Sequence, residues 1–150
     1  MAQTLTRILL HVVFSTKNRV DFIRPELEPE LYPYIATIAH NKESPVLAIG
    51  GTTNHLHLLL SLSKNIALKD LMEVVKKDSS RWLKTKGADL ADFHWQDGYA
   101  AFSLGESNRK AVTTYIAGQK KKHKRTTFQE ELLMFLKKYQ VPYDERYIWT

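Results

Sequence analysis

His55 and His57 stand one residue apart in the run Asn54-His55-Leu56-His57-Leu58-Leu59-Leu60. Side chains alternate faces along a β-strand, so the two imidazoles point the same way, near enough to share one metal ion. Leu56, Leu58, Leu60 and Leu62 then line the opposite, apolar face, which belongs against helices. Histidine also serves in sheets as a hydrogen-bonded spacer, so a metal site needs a third ligand and a reacting group beside the pair. Both stand downstream, in Val112-Thr113-Thr114-Tyr115-Ile116-Ala117-Gly118-Gln119, where Tyr115 and Gln119 are four residues apart and share one face of a helix. Two imidazoles and the Gln119 carbonyl oxygen make a mixed nitrogen and oxygen site, which suits Mg²⁺ or Mn²⁺ better than a closed structural zinc cage. A tyrosine hydroxyl titrates at about 10 in water, so attack at neutral pH needs help from a cation or a base.

With its flanking blocks this set resembles the single-tyrosine HUH transposases, the TnpA-like insertion-sequence group and their REP-associated relatives. The residues that carry the resemblance are His55-Leu56-His57, Tyr115 with Gln119, Ser79-Ser80-Arg81-Trp82-Leu83, Trp95-Gln96-Asp97-Gly98-Tyr99 and His11-Val12-Val13-Phe14. They span nearly the whole chain. The resemblance implies that Tyr115 attacks single-stranded DNA, leaving a 5′-phosphotyrosine and a free 3′-hydroxyl, and that a second 3′-hydroxyl reverses the step. It also implies a divalent ion, Mg²⁺ or Mn²⁺, on His55, His57 and Gln119, acting as a Lewis acid on the scissile phosphate. The expected substrate is an insertion-sequence end folded as a hairpin. Relatives of this type are homodimers in which the tyrosine helix of one subunit completes the other's histidine site, and Gly105 is the expected hinge. Two other readings stay open: a domesticated REP-associated nuclease, and a ferredoxin-like nucleic-acid binder without catalysis, against which the intact His55, His57, Tyr115 and Gln119 set argues.

Composition is compatible with that reading. The 150 residues suffice for one domain, expected to run over 1–150 with a tyrosine helix at about 107–125 and a C-terminal helix and tail at about 127–150. A net charge of +6 favours a polyanionic partner such as nucleic acid. Cysteine is absent, which excludes disulfides and thiolate ligands. No apolar run approaches a membrane span or a secretory leader, so a cytoplasmic protein is expected.

The positioning elements follow from periodicity. Ile8–Phe14, Val46–Ile49, His55–Leu62 and Tyr99–Leu104 read as strands; Leu27, Leu31, Ile35 and Ile38 mark a first helix, and Leu68, Leu71, Met72, Val75, Trp82 and Leu83 a second, closed by Gly87 as a left-handed C-terminal residue. The order strand, helix, strand, strand, helix, strand predicts an α+β, ferredoxin-like split βαβ sandwich: an antiparallel sheet with helices on one face, plus the tyrosine helix and a C-terminal helix. That last helix should open with the Thr127-Phe128-Gln129-Glu130 capping box and present Phe128, Leu132, Leu136 and Tyr139 as a stripe. The aromatic tail Tyr143–Trp149 should pack on the domain or on a second subunit.

Expected phosphate contacts are Lys76, Lys77 and Arg81 on the second helix, with Lys120, Lys121, Lys122, Lys124 and Arg125 after the tyrosine. Trp82, Trp95, Tyr99 and Phe102 are individually core residues first and base-stacking platforms second. His11, His40, His94 and His123 read as structural or solvent-facing, with His11 near enough to the third strand to support its histidines.

Overall fold

A computed structural model describes residues 2–150. Four strands, β1 (Leu9–Ser15), β2 (Val46–Gly51), β3 (His55–Ser61) and β4 (Ala100–Leu104), form one sheet in the order β2-β3-β1-β4. All three pairings are antiparallel, and the helices α1 (Glu28–Asn41) and α2 (Leu68–Leu83) complete the βαββαβ order of the expected ferredoxin-like sandwich. The β1–β3 register sets Val13 opposite His57 and Ser15 opposite His55, which fixes the histidines beside the central strand.

The alternation of β3 divides its residues as the pattern requires. Leu56, Leu58 and Leu60 are buried with Val12 and Phe14 against Leu31, Ile35, Leu71, Met72 and Val75 of α1 and α2, in the larger apolar core. His55, His57 and Leu59 point to the other face. That face is covered by α3 (Arg109–Ala117), α4 (Gln119–Lys122) and α5 (Phe128–Lys138), whose smaller core joins Val13 and Phe102 to Phe128, Leu132 and Leu136. Among the described residues no helix is long and apolar enough to cross a membrane.

Local devices aim the second layer. Gly50 on β2 lets α3 approach: a Cβ there would lie 2.5 Å from the Ile116 carbonyl oxygen. The capping box at Thr127 is formed, Thr127 Oγ1 accepting from the Glu130 amide at 3.1 Å, and it starts α5 at Phe128. The tail folds back on its own domain. The Thr150 carbonyl accepts from the Asp97 amide at 2.8 Å, Arg19 donates to the Trp149 carbonyl at 2.7 Å, and Ile148 and Trp149 pack on the smaller core.

Two expectations need correction. Gly87 does not close α2; the helix ends at Leu83 with Lys84 at its cap, and Gly87, at φ 157°, lies in the following turn where a Cβ would meet Asp89 Oδ1 at 2.5 Å. The tyrosine helix is also not continuous over 107–125, because Gly118 flattens it between α3 and α4. Its carbonyl still accepts from Lys122 at 3.0 Å and His123 donates to Gln119 at 3.0 Å, so the helical face carries through the break.

Candidate active site

The histidine face of β3 receives side chains from α3, α4 and α5, the helices that cover it. His55 is held from below by the Thr52–Asn54 turn: its Nδ1 lies 2.8 Å from Asn54 Oδ1 and 3.0 Å from Thr52 Oγ1, while Nε2 meets Gln119 Oε1 at 2.9 Å. His57 is held from β1, its Nδ1 lying 2.7 Å from His11 Nε2, and its Nε2 meets Glu131 Oε1 at 2.8 Å. Thus His11 supports the histidine pair, as its place on the neighbouring strand suggests. His123 follows Gln119 by four residues, its ring centroid 4.4 Å from that of His55 and its Nε2 3.2 Å from Glu131 Oε1.

Glu131 is the centre of this arrangement and is 1% exposed. Its Oε1 faces the three imidazoles, and its Oε2 accepts from the Tyr115 hydroxyl and from Gln119 Nε2 at 3.0 Å. Burial alone raises the carboxyl's pKa, but the close contacts with His123, His57 and Tyr115 outweigh it and hold Glu131 well below the usual carboxylate range. The same contact works against Tyr115, whose hydroxyl is pushed well above its ordinary value by burial and by the adjacent carboxylate. His11 and His55 are each lowered to about 3, chiefly by burial and then by the neighbouring His57, so both are neutral at pH 7.

These residues fit a metal ion. Single ligand atoms of His55, His57, His123 and Glu131 all lie within 4.8 Å of one another. His123 Nε2 is buried without a properly directed hydrogen bond. Neutral His55 has one proton for two oxygen acceptors, Asn54 Oδ1 at Nδ1 and Gln119 Oε1 at Nε2. A cation at Nε2 removes that shortage.

A cavity of about 1060 Å³ opens beside the tyrosine, between α3 and α5, with Tyr115 and Glu131 at one end and Phe135, Tyr139, Lys122 and Lys138 along it. Substrate therefore has a route to the hydroxyl. One chain brings Tyr115 to the histidines, the His57 and Tyr115 ring centroids being 5.8 Å apart, without exchange about Gly105.

The cations expected to hold phosphate are less uniform than their spacing suggests. Lys76 is occupied: its ammonium is hydrogen-bonded to the carbonyls of Gln96, Asp97 and Gly98, and burial lowers its pKa to about 8. Lys77 and Arg81 are exposed, but they sit on α2, across the sheet from the histidines. Lys120 pairs with Glu28, whereas Lys122 lies 5.7 Å from the Tyr115 ring centre and lines the cavity. Lys121, Lys124 and Arg125 are exposed. Of the aromatics, Trp95 and Phe102 are core residues, Trp82 stacks on Tyr34, and Tyr99 packs with Lys76.

His123 and Glu131 lie outside the set found by sequence reasoning, although a signal existed for each. Tyr115, Gln119 and His123 repeat at four-residue intervals, and Glu131 is a carboxylate inside the apolar stripe of Phe128, Leu132 and Phe135.

Residues 4–119 match the family model described as Transposase IS200 like. The chain belongs to the IS200-like transposase family. A curated relative, the ISDra2 transposase TnpA of Deinococcus radiodurans, is 26% identical over 118 residues, covering 73% of this chain and 81% of the relative. A shorter match, 27% identical over 63 residues, covers 42% of this chain and only 7% of the "Probable ubiquitin carboxyl-terminal hydrolase 1" of Schizosaccharomyces pombe. Among solved structures, a Deinococcus radiodurans protein described as a transposase superposes with a TM-score of 0.62 at 20% identity, over 79% of this chain and 95% of that one. A REP-associated tyrosine transposase bound to a REP hairpin superposes with a TM-score of 0.60 at 13% identity, over 82% of this chain and 74% of that one. The likeness to both solved structures is one of fold. In this IS200-like transposase the family match ends at Gln119, so His123 and Glu131 lie beyond it.

Proposed function

We propose that this chain cleaves and rejoins single-stranded DNA at insertion-sequence ends, with Tyr115 as nucleophile and 1–150 as one catalytic domain. The observation that carries the reading is the placing of the Tyr115 hydroxyl on the Glu131 carboxylate, beside the His55 and His57 pair and open to a cavity. Tyr115 Oη forms a bond to phosphorus while the bond from phosphorus to the 3′-oxygen breaks, giving a 5′-phosphotyrosine and a free 3′-hydroxyl. Glu131 Oε2 accepts the Tyr115 hydrogen bond and aims Oη, the tyrosine proton is lost as the bond to phosphorus forms, and the departing 3′-oxygen takes up a proton in turn. A divalent ion, Mg²⁺ or Mn²⁺, on His55, His57 and the Gln119 oxygen would supply Lewis-acid stabilisation of the charge that builds on phosphate. Gln119 orients its amide by donating to Glu131, which leaves its oxygen toward His55.

Lys122 at the cavity, with Lys121, Lys124 and Arg125 nearby, supplies positive charge for the DNA backbone, and Lys77 and Arg81 a further patch across the sheet. The substrate class is a hairpin-forming single strand, acted on in the cytoplasm. Incubation with pooled single strands from the flanking genomic DNA, in Mg²⁺ or Mn²⁺, tests the reading by trapping covalent protein–DNA adducts. Tyr115→Phe should abolish the adducts and leave DNA binding within a few fold, since only the attacking oxygen is lost. Adducts that persist in this variant move the nucleophile elsewhere.

A further inference from the structure

We infer that His123 and Glu131 ligate the same metal ion as His55 and His57, so that this chain holds a first-row transition ion on three imidazoles and a carboxylate. This deepens the metal-dependent reading above and rests on it. The four donors come from three separate elements: β3, the residue after α4, and α5. They nevertheless converge so that one ligand atom from each lies within 4.8 Å of the others. Ligand atoms about 2.1 Å from one ion stand at most about 4.2 Å apart, so the cluster needs only a small contraction to bind.

Charge points the same way. A carboxylate taken out of water must be paired, and the only ion-pair partners of Glu131 among the described residues are the imidazoles of His55, His57 and His123. Imidazoles present their lone pairs to a metal when neutral, and a divalent ion then supplies the positive charge that neutral rings do not. His123 Nε2 is a buried atom without a directed hydrogen bond, and it lies 3.2 Å from Glu131 Oε1.

The far nitrogens are arranged as ligating histidines require. His57 Nδ1 is held by His11, and His55 Nδ1 by Asn54 and Thr52, which leaves both Nε2 atoms turned inward. Glu131 then serves two partners at once. Oε1 belongs to the ion, and Oε2 holds the Tyr115 hydroxyl and the Gln119 amide, so the carboxylate ties nucleophile and metal to one rigid helix.

Three imidazoles change the preferred ion. Magnesium favours an all-oxygen shell with several waters, whereas imidazole-rich sites favour later ions such as Co²⁺, Ni²⁺ or Zn²⁺. The test uses the full chain, stripped of metal with a chelator and titrated with Co²⁺ while its visible absorption is followed. One Co²⁺ should bind per chain, Zn²⁺ should displace it, and millimolar Mg²⁺ should not. Glu131→Gln and His123→Ala should each weaken Co²⁺ binding at least tenfold and alter the spectrum. Near-ultraviolet circular dichroism checks that each variant is folded; should Glu131→Gln unfold, His123→Ala, at a part-exposed position, carries the decision.

Native-like Co²⁺ affinity and spectrum in the folded variants, with binding lost in His57→Ala, would overturn this ligand set and leave the proposed transposase chemistry standing. Wild-type protein that binds no Co²⁺ overturns the inference too. In that case adduct formation with and without metal decides separately whether the tyrosine reading survives.

Discussion

Acidification of the metal-free chain should destabilise it well before the pH at which carboxylates ordinarily titrate. His11 and His55 are neutral in the folded state, with values lowered from 6.5 to about 3, whereas in the unfolded chain each takes a proton below 6.5. The unfolded state therefore binds more protons across that interval, so stability falls as pH falls from 6.5 toward 3. Between pH 7 and pH 5 each histidine contributes a loss of about 1.9 kcal/mol, taking about 1.36 kcal/mol per pH unit once the unfolded imidazole is charged, or about 4 kcal/mol for the pair. Domains of this size have about 5–15 kcal/mol in total, so the loss consumes a large part of it. Glu131 is held low and adds to the acid sensitivity only below its unfolded value of 4.5. Urea unfolding in chelator at pH 7, 6 and 5 measures this directly. A free energy that changes by less than about 1 kcal/mol over that range would show that the two imidazoles are not buried neutral, and would refute the packing described for the histidine face.

Other outcomes follow from single contacts. Gly50→Ala should destabilise the chain by about 1–3 kcal/mol and depress adduct formation, because its Cβ would press on the Ile116 carbonyl 2.5 Å away and push α3 off the sheet; unchanged thermal stability would argue against that approach. Mixing Tyr115→Phe with His57→Ala protein should leave cleavage absent, since one chain already joins its tyrosine to its own histidines; recovered activity in the mixture would show exchange between subunits. Replacing Lys121, Lys122 and Lys124 by alanine should reduce the salt slope of single-strand binding by about 2, at about 0.7 per phosphate released, and an unchanged slope would assign these cations to solvent alone.

The sheet was readable because its signals are strong and local. Histidines and leucines alternating over 55–58 leave one arrangement that buries the apolar face, and Leu27, Leu31, Ile35 and Ile38 are buried where a helical period puts them. The Thr127 capping box is likewise a property of four consecutive residues. Glu131 was not readable as part of the site because its role depends on where α5 lies over β3, a contact between residues 74 positions apart. His123 was masked by its basic neighbours from Lys120 to Arg125, which read as a solvated helix end. Lys76 looked free for phosphate, and only the fold shows the carbonyls of Gln96, Asp97 and Gly98 closing on it. Gly87 misled through its type, since a glycine a few residues past a helix suggests a left-handed cap that Lys84 has already replaced by an ordinary turn.

Six of the seven residues of β3 are buried, Leu56, Leu58 and Leu60 toward one layer of helices and His55, His57 and Leu59 toward the other, so this strand has no idle face. Its mutational tolerance should be correspondingly narrow. A one-residue deletion in the Thr52–Asn54 turn would do more than shift a loop: a slip of one position reverses every side chain, driving imidazoles into the apolar core and leucines into the polar cluster. Descendants that abandon the chemistry should therefore do so first on α3 and α5, where Tyr115 or Glu131 can change without recasting the sheet, and keep His55 and His57 long after their purpose has gone.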